Sequence, residues 1–467
     1  MPGAVTVAIS SEFTKTLIKC HRGVLFRNLR HYSKRKYPVN PEEANSLPVF
    51  DYSPGEHRTP HSFRVYGWGN GEHGGLGNQI QIKGKRSPPR MIHRPSRLHF
   101  AETHKVTDVA CGYGFSAFAV DSKEHQLFGT GINTDSQIGY HAVRRGHPLG
   151  LLLAPVPISR FPPVHSSKGG QKSDRVAGLA AGRAHLLVLM ASGCVYSFGS
   201  NHYGQCGHPS SAAKEPHSLY LPHCISKAPD GSKFLSVECG QDHSLFLSDQ
   251  GEVWACGWGA DGQMGQGDTQ SSWKLKKAVG DLQGKRIIKI SSSADTILAL
   301  SEDGEVVGWG NNEYGQLITH NPTPQLSTPT QLKFPSKVGR VKDVAAGGSF
   351  CLLTNDSGEV FVWGYGLLGL GPSADHAKEP VQVPPTLFGA GVFQEQPRVT
   401  KVAAGLSYSV AVLANGDMYS WGHNSLGCLG LGHTKDQSFP MKVAVGAEVV
   451  KVSCGVDHLL ALCKPFV

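Results

Sequence analysis

The amino-acid sequence predicts an all-β protein, a seven-bladed β-propeller that is closed by a composite N-/C-terminal blade. Two short motifs alternate along the chain, apolar strands joined by tight turns lie between them, and hardly any segment has helical periodicity. Glycine is abundant, at 57 of 467 residues, as expected of a chain with many tight turns. Repeats that hold four short strands each are typical of propeller blades.

The two motifs each occur seven times. The first is a small apolar segment that usually ends in glycine, at Val109–Gly112, Leu179–Gly182, Val237–Gly240, Ile290–Ser293, Val344–Gly347, Val402–Gly405 and Val452–Gly455. The second is Trp-Gly or a close variant, at Trp68–Gly69, Thr130–Gly131, Phe198–Gly199, Trp258–Gly259, Trp309–Gly310, Trp363–Gly364 and Trp421–Gly422. Paired copies end 17 or 19 residues apart, which is too regular to be chance.

Between paired copies the sequence predicts a β-hairpin. After Gly240 an apolar strand runs to Ser248, a turn follows at Asp249–Gly251, and a second strand leads to Trp258. Matching turns occur at residues 191–193, 302–304, 356–358 and 414–416. Glycine between two apolar runs is a strong hairpin signal because it tolerates the positive φ of a tight turn.

The order of the motifs at the two ends of the chain predicts a closed ring. Trp68 has no copy of the first motif before it, and Gly455 has no Trp-Gly after it. We therefore expect a strand at Phe63–Trp68 to join strands within Val449–Leu462 in one blade. Closure removes exposed sheet edges. The propeller is thus predicted to span residues 61–467, after a linker at 41–60.

Residues 1–40 carry most of the net charge. Eight Lys and Arg against the single acid Glu12 give +7 of the formal +9. Interleaved apolar residues make this arm basic and amphipathic, which is typical of a mitochondrial presequence, with cleavage near residues 32/33. The alternative is a nucleic-acid-binding or nuclear-receptor arm built on Lys34–Lys36. We expect the mitochondrial matrix, or the matrix side of the inner membrane, and no transmembrane segment.

No catalytic, cofactor or metal site is predicted. The Gly-x-Gly-x-x-Gly segments at 69–74 and 364–369 follow β-strands and open no helix, so they lack the N-terminus that binds pyrophosphate. The sequence has neither a P-loop nor a Cys-x-x-Cys pair, and its 11 cysteines lie mostly in apolar segments. We therefore expect reduced thiols and a protein that performs no covalent chemistry.

The repeat resembles that of the regulator-of-chromosome-condensation family. The resemblance is carried by segments such as Cys239–Leu247, Asn201–Gly207, Asn312–Leu317 and Cys454–His458, and it extends from about residue 60 to the end. With the basic N-terminus, the chain resembles the mitochondrial member of that family. The resemblance implies a seven-bladed propeller in mitochondria.

The loops after the first motif supply the candidate site, because equivalent propeller loops open on one face. The predicted partner-binding residues are Arg183, His185, Asp242, His243, Asp295, Asp457 and His458. In the founding family member, Asp and His at such positions contact a GTPase. The alternative for the aspartates is local turn capping, and for the histidines it is packing beside the turn, since Phe115, Thr296, Phe350 and Tyr408 fill the same position.

Two functions are expected from the resemblance. The first is a non-catalytic mitochondrial scaffold that binds protein partners and supports large-subunit rRNA and ribosome assembly, touching rRNA or its modifying enzymes. Its candidate RNA contacts are Lys83, Lys85, Arg86, Arg90, Arg144 and Arg145. The alternative is guanine-nucleotide exchange on a mitochondrial GTPase, the inner-membrane dynamin-like fusion GTPase, with peripheral association with that membrane. The segment Gly259–Gly265 is too short for the wedge that the founding member uses on the nuclear GTPase.

Overall fold

The computed structural model of the chain describes residues 63–78, 90–139, 141, 150–158, 174–209, 218–319, 323–391 and 397–465. In this part of the chain, strands β1 to β28 form seven four-stranded antiparallel sheets, which confirms the predicted propeller. The predicted presequence at 1–40 and the linker at 41–60 lie outside the described residues, and so do Lys83, Lys85, Arg86, Arg144 and Arg145.

The strands follow one another along the chain in meanders. The first two are β1 (Arg64–Asn70) and β2 (Met91–Arg97), followed by the short helix α1 (Phe100–Thr103). From the channel outwards, blade 1 holds β3 (Val106–Cys111), β4 (Phe115–Val120), β5 (Leu127–Ile132) and β6 (Leu151–Pro157). Blade 2 holds β7 (Val176–Ala181), β8 (His185–Met190), β9 (Val195–Ser200) and β10 (Ser218–Ile225). Blade 3 holds β11 (Phe234–Cys239), β12 (His243–Ser248), β13 (Val253–Gly257) and β14 (Ser272–Lys277).

The next three blades repeat this plan. Blade 4 holds β15 (Ile287–Ser291), β16 (Thr296–Ser301), β17 (Val306–Asn311) and β18 (Gln325–Gln331). Blade 5 holds β19 (Val341–Ala346), β20 (Phe350–Asn355), β21 (Val360–Tyr365) and β22 (His376–Gln382). Blade 6 holds β23 (Val399–Ala404), β24 (Tyr408–Leu413), β25 (Met418–Gly422) and β26 (Gln437–Val443). Short 3-10 helices at Gly280–Leu282, Ser336–Val338 and Pro385–Phe388 lie between consecutive blades.

The closing blade combines both ends of the described chain. Its inner strands are β27 (Glu448–Cys454) and β28 (His458–Lys464), and its outer strands are β1 and β2. β1 pairs with β28 in antiparallel register, with Val65 opposite Leu462 and Trp68 opposite Leu459. The predicted composite blade is therefore confirmed, and β28 and β1 have no free edge between them.

The strand positions of a blade differ in residue type because their surroundings differ. Inner strands such as β19 carry small residues, since seven of them converge on a central channel whose cavity has a volume of about 460 Å³. Second strands such as β16 are buried along their whole length. The outer strand β14 exposes Lys274 and Lys276 to solvent.

Residues of the second motif join neighbouring blades. Trp68, Trp309 and Trp363 are fully buried. Their Nε1 atoms donate hydrogen bonds to backbone carbonyls in the outer loop of the preceding blade, at Cys428 (2.7 Å), Gln263 (3.0 Å) and Gln316 (2.7 Å) respectively. In blade 1 the hydroxyl of Thr130 donates to the carbonyl of Gly74 at 2.8 Å instead. The motif therefore connects each of these blades to the one before it.

One copy of the second motif was wrongly predicted at Trp258–Gly259. In the β12–β13 ladder His243 lies opposite Gly257, just as Thr296 lies opposite Gly310 in blade 4. Cys256–Gly257 is thus the equivalent pair, at the same spacing from Gly240 as Gly310 has from Ser293. Trp258 comes after the strand, where its ring contacts Tyr203 edge-on at 4.6 Å between centroids.

Two carboxylates connect inner strands of neighbouring blades through hydrogen bonds and ion pairs. Asp108 accepts a hydrogen bond from the backbone N–H of Leu179 in the next blade at 3.0 Å. It also forms an ion pair with Lys451 in the closing blade at 2.5 Å. Asp343 likewise accepts the N–H of Val402 at 2.9 Å and pairs with Lys289. Each carboxylate therefore connects three consecutive blades at the channel wall.

A substitution at the glycine of the second motif shows how much stability depends on the close approach of the backbone to that glycine. Gly310 has φ +94°, and a Cβ there would lie 2.2 Å from the carbonyl oxygen of Asp295. Gly310→Ala is expected to lower the free energy of unfolding by about 3 kcal/mol or more, because it adds a backbone clash to the strain of a positive φ. Chemical denaturation followed by tryptophan fluorescence measures this loss.

Gly315→Ala in the same blade is the matched control. Gly315 also has a positive φ, +71°, but a Cβ there would meet nothing within 4 Å. It should cost only about 1 kcal/mol, the conformational penalty alone. Equal losses for the two variants would show that the close approach at Gly310 does not contribute.

Candidate functional site

Seven loops surround one mouth of the channel. Each joins the inner strand of a blade to its second strand, and we call them the mouth loops: residues 112–114, 182–184, 240–242, 292–295, 347–349, 405–407 and 455–457. Because the blades are equivalent, these loops lie at the same end of the sheets, as the sequence predicted for Arg183, Asp242, Asp295 and Asp457. Their charged side chains form two groups.

The first group contains an ion pair across blades 2 and 3. Arg183 contacts Asp242 with two nitrogens, Nε to Oδ1 at 3.2 Å and Nη2 to Oδ2 at 2.5 Å. The backbone N–H of Arg183 also donates to the carbonyl of Gln241 at 2.9 Å. Burial raises the pKa of Asp242, and the guanidinium of Arg183 opposes that rise. Two-point contact fixes the carboxylate in one orientation.

Asp295 lies beside this pair and adds negative charge. Gln263 donates from Nε2 to Asp295 at 3.0 Å and to Asp261 at 3.1 Å, so one amide holds two carboxylates together. Burial raises the pKa of Asp295, the Gln263 hydrogen bond lowers it, and the charges of Asp261 and Asp242 raise it again. This side of the mouth therefore carries three carboxylates and one guanidinium, which favours the approach of a further cation.

Asp457 forms the second group, at the closing blade. Its carboxylate contacts His458 Nδ1 at 2.8 Å, His73 Nδ1 at 3.6 Å and Asn70 Nδ2 at 3.4 Å. Burial opposes ionisation, but the hydrogen bond from His458 and the charges of His458 and His73 keep the pKa of Asp457 below its usual value. Asp457 is therefore an ionised, mostly buried carboxylate at the mouth.

The three predicted histidines are fully buried and do not reach the mouth surface. His185 Nε2 contacts Ser244 Oγ of the next blade at 3.1 Å, and His243 Nε2 contacts Ser292 Oγ of the next blade at 3.3 Å. Burial lowers the pKa of His185 to about 4 and that of His243 to about 3, so both are neutral. Their positions favour the alternative of packing beside the turn over partner contact.

His458 differs because Asp457 adjoins it. Its Nε2 contacts Ser116 Oγ of blade 1 at 2.7 Å, which gives Asp457, His458 and Ser116 the spacing of a Ser-His-Asp hydrolase triad. Ser116 and His458 are both fully buried, so no substrate can reach the serine. The three side chains connect the closing blade to blade 1 and have a structural role.

Sequence reasoning missed Tyr113, Asn70 and His73. Tyr113 occupies the same motif position as Arg183, so the repeat alignment could have found it. Its hydroxyl has no hydrogen-bond partner among the described residues, and burial together with the charge of Asp295 raises the pKa of Tyr113. Asn70 and His73 follow the first Trp-Gly and meet Asp457 only through ring closure, which sequence spacing does not reveal.

The remaining predicted residue is Arg90. Its side chain is 82% exposed and lies 3.5 Å from Glu72. The described residues contain no group of three or more His, Cys, Asp or Glu able to hold a metal ion. Among the described helices, none has the length and apolar character needed to cross a membrane.

The chain is similar to known proteins over nearly its whole length. A family model described as the RCC1-like domain matches residues 147–464, and one described as the regulator of chromosome condensation (RCC1) repeat matches residues 64–119. A mouse protein named RCC1-like G exchanging factor-like protein is 40% identical over 91% of this chain and 92% of its own.

Solved structures agree. The crystal structure of human WBSCR16 matches with a TM-score of 0.78 and 38% identity, over 87% of this chain and 100% of that one. The structure of Prp20p from Saccharomyces cerevisiae matches with a TM-score of 0.70 and 20% identity, over 93% of this chain and 97% of that one. The second likeness concerns the fold alone.

The buried neutral His243 should make stability depend on pH. Because its folded pKa of about 3 lies below its ordinary value of 6.5, its stabilisation is complete above about pH 6.5 and is lost as the pH falls. His243→Phe, which places the residue of blades 1 and 5 in blade 3, should remove about 2 kcal/mol of the loss between about pH 7 and pH 5. Urea denaturation at both pH values measures it.

His458 should behave in the opposite sense. Burial alone would lower its pKa, but the Cys111 thiol and the Asp457 carboxylate raise it to about 10. Its stabilisation is therefore complete below about pH 6.5 and is lost as the pH rises through about 10. His458→Asn should destabilise the protein most below neutral pH. The same pH profile for both variants would contradict this assignment of their charge states.

Proposed function

The chain belongs to the family of RCC1-repeat propellers, and from that premise we propose that it binds a GTP-binding protein at the mouth loops and accelerates release of the bound guanine nucleotide. The observation that carries the proposal is the Arg183–Asp242 ion pair, with the charge of Asp295 beside it and Asp261 joined to Asp295 through Gln263. The name of the mouse relative, a G exchanging factor-like protein, supports the same activity.

The charges of the mouth suit a nucleotide site. In a GTP-binding protein the nucleotide phosphates are held by a lysine and by Mg²⁺. Carboxylates such as Asp242 and Asp295 can compete with the phosphates for those cations, while Arg183 can attract the phosphates themselves. The proposed site therefore offers carboxylates to the lysine and Mg²⁺, and a guanidinium to the phosphates, as the nucleotide leaves.

Exchange by such a site needs no covalent chemistry. A propeller that binds the nucleotide-free GTPase more tightly than the loaded one weakens nucleotide binding by the same factor, because the two equilibria are linked. No covalent bond forms or breaks, so this activity does not require a nucleophile at the mouth.

The mouth loops are held in place before any partner arrives. The backbone N–H of Gln241 donates to Ala294 O at 3.3 Å, and that of Gly348 donates to Leu406 O at 3.0 Å, so loops of adjacent blades are hydrogen-bonded to each other. Preorganised contacts lose little conformational entropy on binding. This rigidity supports recognition of one fixed arrangement of charges.

We further propose that the protein acts in mitochondria, on the matrix side of the inner membrane. The support is the basic, amphipathic segment at residues 1–40. The GTPase proposed as its partner is accordingly the inner-membrane dynamin-like fusion GTPase.

The exchange proposal predicts a specific loss on neutralising Asp242. The mature protein should accelerate release of fluorescent GDP from that GTPase. Asp242→Asn should reduce the acceleration by about tenfold or more, the loss typical of removing one member of a close interfacial charge pair. Stopped-flow fluorescence with excess unlabelled GTP measures the rate.

Asp249→Asn is the matched control, since Asp249 follows the opposite end of β12, away from the mouth loops. This variant should retain the wild-type acceleration. Acceleration that is absent with the wild-type protein, or equally reduced by both variants, would contradict the proposal.

Support of large-subunit rRNA assembly is a second candidate, because arginines line the rim of the closing blade. Arg94 and Arg97 on β2 are exposed, and Arg90 immediately precedes that strand. Clustered arginines suit phosphate binding. Arg97 pairs closely with Glu102, whereas Arg90 has a longer ion pair with Glu72 and is far more exposed, so RNA contact would depend mainly on Arg90 and Arg94.

Crosslinking in mitochondria followed by sequencing of bound RNA tests this candidate. Large-subunit rRNA should be enriched with the wild-type protein, and the enrichment should fall several-fold in the double variant Arg90→Glu, Arg94→Glu. The control is Lys274→Glu, Lys276→Glu on the outer strand of blade 3, which should keep the enrichment. A flat RNA profile from the wild-type protein would rule the candidate out.

A further inference from the structure

Two thiols meet on one face of blade 2, away from the mouth loops. Cys224 on β10 lies opposite Tyr196 on β9, and Cys194 is two residues before Tyr196, so all three side chains share a face of the sheet. Diagonal neighbours on a twisted antiparallel pair lie within reach of each other. The proximity of Cys224 accordingly contributes to the raised pKa of the Cys194 thiol.

The two thiols differ in access to solvent. Cys224 is the one exposed cysteine in the part of the chain that the structure describes. Cys194 is buried, and burial raises its pKa, an effect that the hydroxyl of Ser192, donating to Cys194 Sγ at 3.2 Å, partly offsets. An oxidant in solution therefore meets Cys224 first, while Cys194 is placed behind it.

We propose that Cys194 and Cys224 are a reversible redox pair that closes a disulfide when the protein meets hydrogen peroxide. Cys224 attacks the peroxide, the O–O bond breaks, and Cys224 becomes a sulfenic acid with release of water. The sulfur of Cys194 then attacks the sulfur of Cys224, and a second water leaves with the proton of Cys194. In total, two thiols lose two electrons and two protons to one peroxide.

The disulfide would link β10 covalently to the start of β9. The β9–β10 ladder has a register shift between Leu219 and His223, as the outer ladders of the other blades do at the equivalent place. A Cys194–Cys224 bond would close residues 194–224 into a loop and so restrict the unfolded chain. The enclosed segment includes Gln205, whose carbonyl accepts a hydrogen bond from Ser244 Oγ of blade 3 at 2.7 Å. Oxidation should therefore stabilise the contact between blades 2 and 3.

Peptide mapping of the full chain tests the pair directly. The protein is treated with hydrogen peroxide, alkylated and digested without reductant. A peptide pair linked through Cys194 and Cys224 is expected, and dithiothreitol should release it. Oxidation should also raise the midpoint of thermal unfolding, and reductant should reverse that rise.

Single variants separate the two roles. In Cys194→Ser, dimedone should trap a sulfenic acid on Cys224, and in Cys224→Ser neither the linked peptide nor the stability shift should appear. Cys454→Ser, at a half-buried thiol of the closing blade, is the control and should form the disulfide normally. Oxidation of Cys224 to a sulfinic acid, or its linkage to another chain, with Cys194 still alkylated in the wild-type protein would overturn the proposal.

Discussion

Seven blades packed side by side become a ring only if the two ends of the chain pair, and here β1 pairs with β28 from Arg64 to Gly69. This pairing brings together groups that are hundreds of residues apart in sequence. The backbone N–H of Cys111 donates to Ser453 Oγ, and Asn70 reaches the carboxylate of Asp457, only because the ring is closed. The channel, the mouth loops and the interblade hydrogen bonds all depend on the same closure. The candidate site therefore forms only when the whole ring has folded.

Within that ring, the histidine position at the start of the second strand has different charge states in different blades. His185 and His243 are neutral because burial against a serine of the next blade lowers their pKa, and the carboxylate nearest to His243, that of Asp295, is 3.9 Å from its Nδ1. His458 occupies the same position and reaches a serine in the same way, yet Asp457 at 2.8 Å favours its protonated form. Neighbouring charge, rather than the repeat itself, decides the ionisation state. Equivalent positions in a propeller therefore share geometry without sharing function.

The strands, the hairpins and the closure could be predicted from the sequence because each depends on local pattern: alternating motifs, turn glycines and an unpaired half-repeat at each end. The failure at Trp258 has a physical reason as well. The strand register is fixed by Gly257, whose missing side chain lets the carbonyl of Asp242 approach to 2.6 Å from where a Cβ would be, and the tryptophan one residue later imitates the motif. The charged partners of Asp295 and Asp457 could not be predicted, since Gln263 and His73 come from other loops whose approach is set by packing.

The mixture of charges at the mouth favours one kind of partner over another. The negative charge of Asp242 is already neutralised by its ion pair with Arg183. A partner whose cation displaces the Arg183 guanidinium from Asp242 must therefore also supply an anion for that guanidinium. A nucleotide site supplies both, since it holds phosphates beside a lysine and Mg²⁺. RNA supplies phosphates alone and would leave Asp242, Asp261 and Asp295 facing negative charge. Contact with RNA is therefore better suited to the arginine rim of the closing blade, and the mouth loops to a protein that carries a nucleotide.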